Sequence, residues 1–253
     1  MASQPDCSSA KGFVLIISHL KLPLTFDTER LKADLNLLQS KDWLKHINQR
    51  AHHGGWRALS LRSIDGRTDT ISVSDMDQAR YADTPYLAVC DYLPEVLAQL
   101  KCPLHSARLM SLAAGEEIKR HTDRELSFKD GYVRLHIPIQ THPDVIFTID
   151  DQQVHFAPGE CWYMNANSPH QVINNSTQDR IHLVVDCSVN DWLSELFHRA
   201  GYRDEAVQYK YGDPSITDEN APHVIAQLEA MGTDTGMEIA HKIRNIWQSQ
   251  PHR

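Results

Sequence analysis

From residue 106 onward the sequence breaks into short apolar or alternating runs separated by Gly, Pro, Asp and Asn. The runs fall at residues 107–112, 133–139, 145–149, 154–156, 161–164, 171–173 and 181–186. Short runs at this spacing specify strands of a sandwich or barrel. Side chains alternate between the two faces of a strand, so Val133, Leu135, Ile137 and Ile139 share one face and leave Arg134 and His136 on the other. The same arithmetic sets Arg180 and His182 opposite Ile181, Leu183 and Val185. Both strands thus carry basic groups on a face that an ordinary core strand fills with apolar ones. A charge inside a barrel is costly unless it is paired.

Helical patterns flank these strands. Asp27-Thr28 is a helix start signal, and Leu31, Leu35 and Leu38 follow on one face. Trp43, Leu44 and Ile47 read as a second, short helical piece, and residues 56–62 as a strand with Trp56, Ser60 and Arg62 on one face. Residues 63–85 read as loop, and residues 93–100 as a helix with Pro94 in its first turn. Asn190-Asp191 caps an amphipathic helix that Gly201 stops, and residues 222–231 and 237–248 have helical spacing.

At 253 residues the chain can form one substantial core, and one domain is expected: residues 1–200, with strands at about 105–190, and a helical extension over 201–253 packed on it. The extension is also a candidate surface for forming an oligomer. Residues 1–10, small and polar, are expected to be disordered, and residues 13–17 to form a strand too short for a signal core. A formal charge of −8 and the absence of a Lys/Arg block argue against a nucleic-acid partner, and no apolar run reaches membrane-spanning length. Five cysteines without a C-x-x-C pair argue against a disulfide framework or structural zinc, and suit a reducing cytoplasm.

The chemistry concentrates in His121-Thr122-Asp123 and Ser168-Pro169-His170. Two imidazoles and a carboxylate in this order form the ligand set of a non-haem Fe(II) oxygenase, which takes one face of the metal and leaves the other open. With 15 histidines a lone H-x-D is a weak signal, and a second one stands at His142-Pro143-Asp144. That one lies in a segment resembling a hairpin connection, with no matching third ligand downstream. The metal set is therefore His121, Asp123 and His170. A bound dicarboxylate would give the basic groups their partner, since guanidinium grips carboxylate through two parallel hydrogen bonds.

These residues together resemble the aspartyl/asparaginyl β-hydroxylase family, most strongly over 115–186. The family's histidine ligands fall on His121 and His170, its R-x-H cosubstrate strand on Arg134 and His136, and its distal arginine on Arg180, ten residues beyond His170. The resemblance implies a mainly β, cupin-like double-stranded β-helix (jelly roll) with N-terminal and C-terminal helices packed around it. It also implies Fe(II), 2-oxoglutarate and O2 as metal and cosubstrates. Animal members lack the metal carboxylate, so Asp123 resembles bacterial members and the related free-proline hydroxylases. Met110 stands where animal members use a serine toward the cosubstrate.

The implied reaction is hydroxylation of an amino-acid side chain. The first expectation is the β-carbon of an aspartyl or asparaginyl residue in a peptide or protein; a free amino acid is the alternative. Arg62 and Arg124 are candidate cations for a carboxylate-bearing substrate. A zinc-dependent jelly-roll hydrolase or isomerase and a non-catalytic binding module are further alternatives. The zinc reading leaves Arg134, His136 and Arg180 without a purpose.

Overall fold

The computed structural model describes residues 17–48, 50–73, 76, 78–123, 126–203, 210–213 and 215–249. In chain order its elements are β1 (His19–Thr25), α1 (Thr28–Leu38), β2 (Leu44–Lys45), β3 (Trp56–Ile64), β4 (Tyr81–Asp83), α2 (Leu93–Gln99), β5 (Leu104–Leu112) and β6 (Glu117–His121). Then follow β7 (Tyr132–Gln140), β8 (Val145–Ile149), β9 (Gln152–Val154), β10 (Glu160–Met164), β11 (His170–Asn174), β12 (Arg180–Ser188), α3 (Asp191–Arg199), α4 (Ala221–Ala230) and α5 (Asp234–Gln248). The expected N-terminal disorder and most of the expected strand at 13–17 lie outside the described residues.

From β5 to β12 the chain passes back and forth between two antiparallel sheets, with β8 and β9 forming a hairpin in the smaller one. The larger has the order β1-β10-β7-β12-β5-β3-β2, with β4 beside β3; the smaller has the order β6-β11-β8-β9. This winding is a jelly roll, in which short strands bury their apolar faces between two opposed sheets. The alternation read in β7 and β12 sorts as expected. Val133, Leu135, Ile137, Ile139, Ile181, Leu183, Val185 and Cys187 join α1, α2 and α3 in an outer core. Between the sheets, Trp56, Ala58, Met110, Leu112, Met164 and Val184 meet Ile118, Phe147, Ile149, Val154 and Val172.

Helix α1 forms where its signals stand. The Asp27 carboxylate accepts from the Glu29 and Arg30 N–H groups at 3.0 Å, and Leu31, Leu35 and Leu38 are buried against the sheet. Asp34, on the same helix and 2 % exposed, does something a local reading cannot show. Its carboxylate accepts from the N–H groups of Asp91, Tyr92 and Leu93 at 3.0, 2.8 and 2.6 Å, capping α2, whose own N-terminal residue makes no side-chain cap. Asp34→Ala leaves three donors bare, two of them buried, and is expected to destabilise this unit by about 2–4 kcal/mol. A shift of the urea midpoint at unchanged m-value would show it.

Four expectations change. The piece around Trp43 and Leu44 is a strand rather than a helix: Leu44 pairs with Ala58 and Lys45 with Arg57, because a few apolar residues cannot nucleate a helix and a free edge of β3 is available. The expected loop at 63–85 contains β4, which pairs with β3. The expected strand at 154–156 lies earlier, as β9. Strand β6, which no apolar run announces, offers one buried apolar residue, Ile118.

Contacts divide the described residues into two compact units, those within 15–203 and those within 204–253. In the second, α4 and α5 pack on each other through Ala221, Ile225, Ala240 and Ile243, with Tyr211 completing the cluster. No helix among the described residues is long and apolar enough to cross a membrane.

Candidate metal centre and anion pocket

His121 ends β6 and His170 begins β11, and the register makes them direct cross-strand partners. Their rings lie 4.3 Å apart between centroids. Asp123 follows two residues on, its N–H held by the Ala166 carbonyl at 2.8 Å. One ligand atom from each of the three residues lies within 4.8 Å of the others. The imidazoles are also set for metal. His121 Nδ1 lies 2.7 Å from the Lys119 carbonyl and His170 Nδ1 2.9 Å from the Ser168 carbonyl. A carbonyl only accepts, so each Nδ1 carries the proton and each Nε2 keeps a free lone pair. Burial first, then the neighbouring His121, pulls the His170 pKa down to about 4, so the ring is neutral at physiological pH. Two imidazole nitrogens and one carboxylate oxygen suit a divalent iron ion.

Burial opposes the Asp123 charge, but the Arg134 guanidinium beside it holds the carboxyl below its usual range. Arg134 donates through Nη1 to Asp123 Oδ2, and through Nε and Nη2 to Asp186 Oδ1 and Oδ2 at 2.7 and 3.3 Å. The family resemblance gives Arg134 to the cosubstrate; its fork is taken up by these two carboxylates. Asp186, wholly buried, also accepts from Arg108 Nη2 at 2.6 Å and Ser106 Oγ at 2.7 Å. Neither Asp186 nor Arg108 stands out in the sequence. The available signal is parity, since Asp186 shares the Arg180 and His182 face of β12.

Arg180 presents the opposite case. It is 3 % exposed, its Nη2 donates to His182 Nδ1 at 2.7 Å, and its Nε has no partner. Among the described residues no carboxylate pairs with it. Burial alone pulls its pKa down to about 9, which leaves it charged at neutral pH. His136 and His182 also have a buried Nε2 without a partner, and their Nδ1 atoms lie 3.4 Å apart. Burial, then Arg180, keeps the His136 imidazole well below its ordinary pKa. A buried cation beside unused polar atoms is a site built for an anion.

One cavity joins both halves. His121, Asp123, Arg134, His136, His170 and Arg180 line it, with Trp56, Met110, Ile118, Phe147, Met164 and Val172 as apolar walls. Trp56 stacks on His46 at 3.4 Å between centroids and has a buried indole N–H without a partner.

Arg62 is not in this cavity. A bulge between Ser60 and Arg62 places Arg62 opposite Ala107, on the outer face, where it donates to Asp83, Tyr81 O and Leu104 O at 2.6, 3.0 and 3.1 Å. The extra residue of a bulge breaks the parity on which the expected inward direction depended. Arg124 lies outside the described residues. The second H-x-D sits in the connection between β7 and β8, with His142 and Asp144 facing each other at 3.4 Å, both exposed.

A model of the family described as aspartyl/asparaginyl beta-hydroxylase matches residues 26–189. The chain belongs to this family. Among curated relatives, L-proline cis-3-hydroxylase 1 of a Streptomyces species is 23 % identical over 188 residues, covering 70 % of this chain and 62 % of the relative. L-proline cis-4-hydroxylase of Rhizobium meliloti (strain 1021) is 27 % identical over 171 residues, covering 67 % and 60 %. The chain thus spans less than two thirds of the length of either relative. Among solved structures, an oxidoreductase of the 2OG-Fe(II) oxygenase family from Burkholderia pseudomallei is 13 % identical with a TM-score of 0.47, covering 68 % of this chain and 85 % of that one.

Proposed function

We propose that this protein is an Fe(II)- and 2-oxoglutarate-dependent hydroxylase acting on a free amino acid. The observation that carries the reading is the cavity itself, which has a His-Asp-His ligand set at one end and a buried arginine without a carboxylate at the other. His121 Nε2, His170 Nε2 and Asp123 would hold Fe(II). Arg180 would take the far carboxylate of 2-oxoglutarate through its guanidinium edge, with His136 at its side. Bound there with dioxygen, the metal and keto acid supply oxidative decarboxylation to succinate and carbon dioxide, coupled to hydroxylation of a substrate C–H bond. The apolar walls exclude water and orient the substrate, which is the protein's share of such chemistry.

A free amino acid takes precedence over an aspartyl or asparaginyl residue of a peptide because the curated relatives are named for L-proline. A zinc hydrolase would leave the buried Arg180 charge without a counter-ion. The test is succinate release from 2-oxoglutarate with Fe(II) and air, run with L-proline, with other free amino acids and with Asp/Asn-containing peptides. Stimulation by a free amino acid is the expected result. Stimulation by the peptides alone would restore the first expectation, and zinc in the purified protein with no response to 2-oxoglutarate would overturn the class.

A further inference from the structure

Asp123 has two carboxylate oxygens, and the structure gives them different neighbours. Oδ2 accepts from Arg134 Nη1, whereas Oδ1 faces His121 Nε2 at 3.9 Å. A ligand carboxylate free to turn could present both oxygens and occupy a coordination position that the open face needs. What prevents the turn is the direction of Arg134 Nη1. That direction is set from behind, where Arg134 Nε and Nη2 are gripped by Asp186 through two near-parallel bonds. Asp186 is itself fixed by Arg108 and Ser106 from β5, and Arg108 is held by the Ile71 carbonyl at 3.0 Å. The strand register places this chain of contacts, because Asp186 of β12 is the direct cross-strand partner of Ser106 on one side and Arg134 on the other.

Charge points the same way. Arg134 lines the cavity of the His-Asp-His set, Arg108 and Arg134 are both buried, and Asp186 is the buried carboxylate that both touch. Without it, Arg108 would lose its carboxylate partner and Arg134 would keep only Asp123, the carboxylate offered to the metal, in a low-dielectric interior.

We infer that Asp186 is a positioning residue for the metal centre. Through Arg134 it holds Asp123 as a ligand offering Oδ1 alone, and it supplies the buried negative charge that Arg108 and Arg134 share. This rests on the proposed function only in assuming that the His-Asp-His set binds a divalent ion.

Co(II) titration of the full chain without cosubstrate tests it, reading both affinity and the cobalt absorption spectrum. Wild-type protein, Asp186→Asn, Arg134→Lys and the double variant are compared. Asp186→Asn is expected to weaken Co(II) binding roughly 10- to 100-fold, the usual effect of removing a partner that orients a metal ligand. Its cobalt spectrum should also shift as Asp123 changes its mode of coordination. Arg134→Lys keeps the charge but cannot reach both carboxylates, so it should weaken binding with a similar spectral shift. The double variant should lose clearly less than the two single losses combined, because the orienting part of the Asp186 effect acts through that arginine.

Unchanged affinity and spectrum in a folded Asp186→Asn would overturn the inference, as would additive losses in the double variant. Should Asp186→Asn fail to fold, Arg134→Lys decides: wild-type affinity and spectrum overturn the inference, and weakening with the shift supports it. If the wild type binds no Co(II), the metal reading falls and this inference falls with it.

Discussion

Replacing His170 with alanine should abolish succinate formation and weaken divalent-metal binding by more than about 100-fold, beyond the usual cost of losing an outer partner. His170 contributes one of the three ligand atoms, is 4 % exposed, and has its tautomer fixed by the Ser168 carbonyl. Water could enter the space left by the ring, but it would not restore a neutral nitrogen donor to the set. The strand should survive, because β11 is bonded on both sides, to β6 and β8, through backbone groups that the substitution leaves intact. A native circular-dichroism spectrum with lost metal binding is the expected pair of results; near wild-type turnover would remove His170 from the ligand set. His142→Ala is the matched control. It changes the rival H-x-D in an exposed connection, and both metal affinity and turnover should stay at wild-type values.

What the sequence can disclose follows from which properties are periodic along one strand. The apolar parity of residues 133–139 and 181–186 is local, so the outward core and the inward Arg134, His136, Arg180 and His182 are legible in the order of residues alone. The grouping of His121, Asp123 and His170 is legible because the motif sets particular side chains at a particular spacing. Cross-strand facts are not. That Asp186 stands beside Arg134 and Ser106 depends on the register of β12 against β7 and β5, and that register contains shifts at Ile181/His182 and Asp186/Cys187. The outward turn of Arg62 depends on one bulge. Strand β6 is hidden because its sequence, Glu-Ile-Lys-Arg-His, is mostly polar; it is a strand because β11 supplies its partner. Arg134 shows how the two kinds of information combine. Its face follows from parity, but its partners come from two other segments.

Arg180→Met should weaken 2-oxoglutarate binding by about 3 kcal/mol, close to 100-fold in Kd, measured by calorimetry with Fe(II) replaced by a redox-inert ion. The magnitude is that of removing one partner of a buried, charge-assisted carboxylate pair. The same substitution carries a second expectation of opposite sign. Without an anion, Arg180 is a buried cation with no carboxylate partner among the described residues and an Nε that donates to nothing. Its strongest neighbours are the His182 nitrogen at 2.7 Å and the face of Phe147, 5.4 Å from the guanidinium carbon. Burial of an uncompensated charge opposes folding, and an apolar side chain of similar length removes that cost. The variant without ligand should therefore melt at or above the wild-type temperature, while 2-oxoglutarate, which stabilises the wild type by mass action, should no longer raise it. Arg180 is then recognisable as a residue held for binding at the expense of stability. Equal 2-oxoglutarate affinity in the two proteins would exclude Arg180 as the cosubstrate anchor. A large loss of stability without ligand would show that its positive charge is already compensated within the fold.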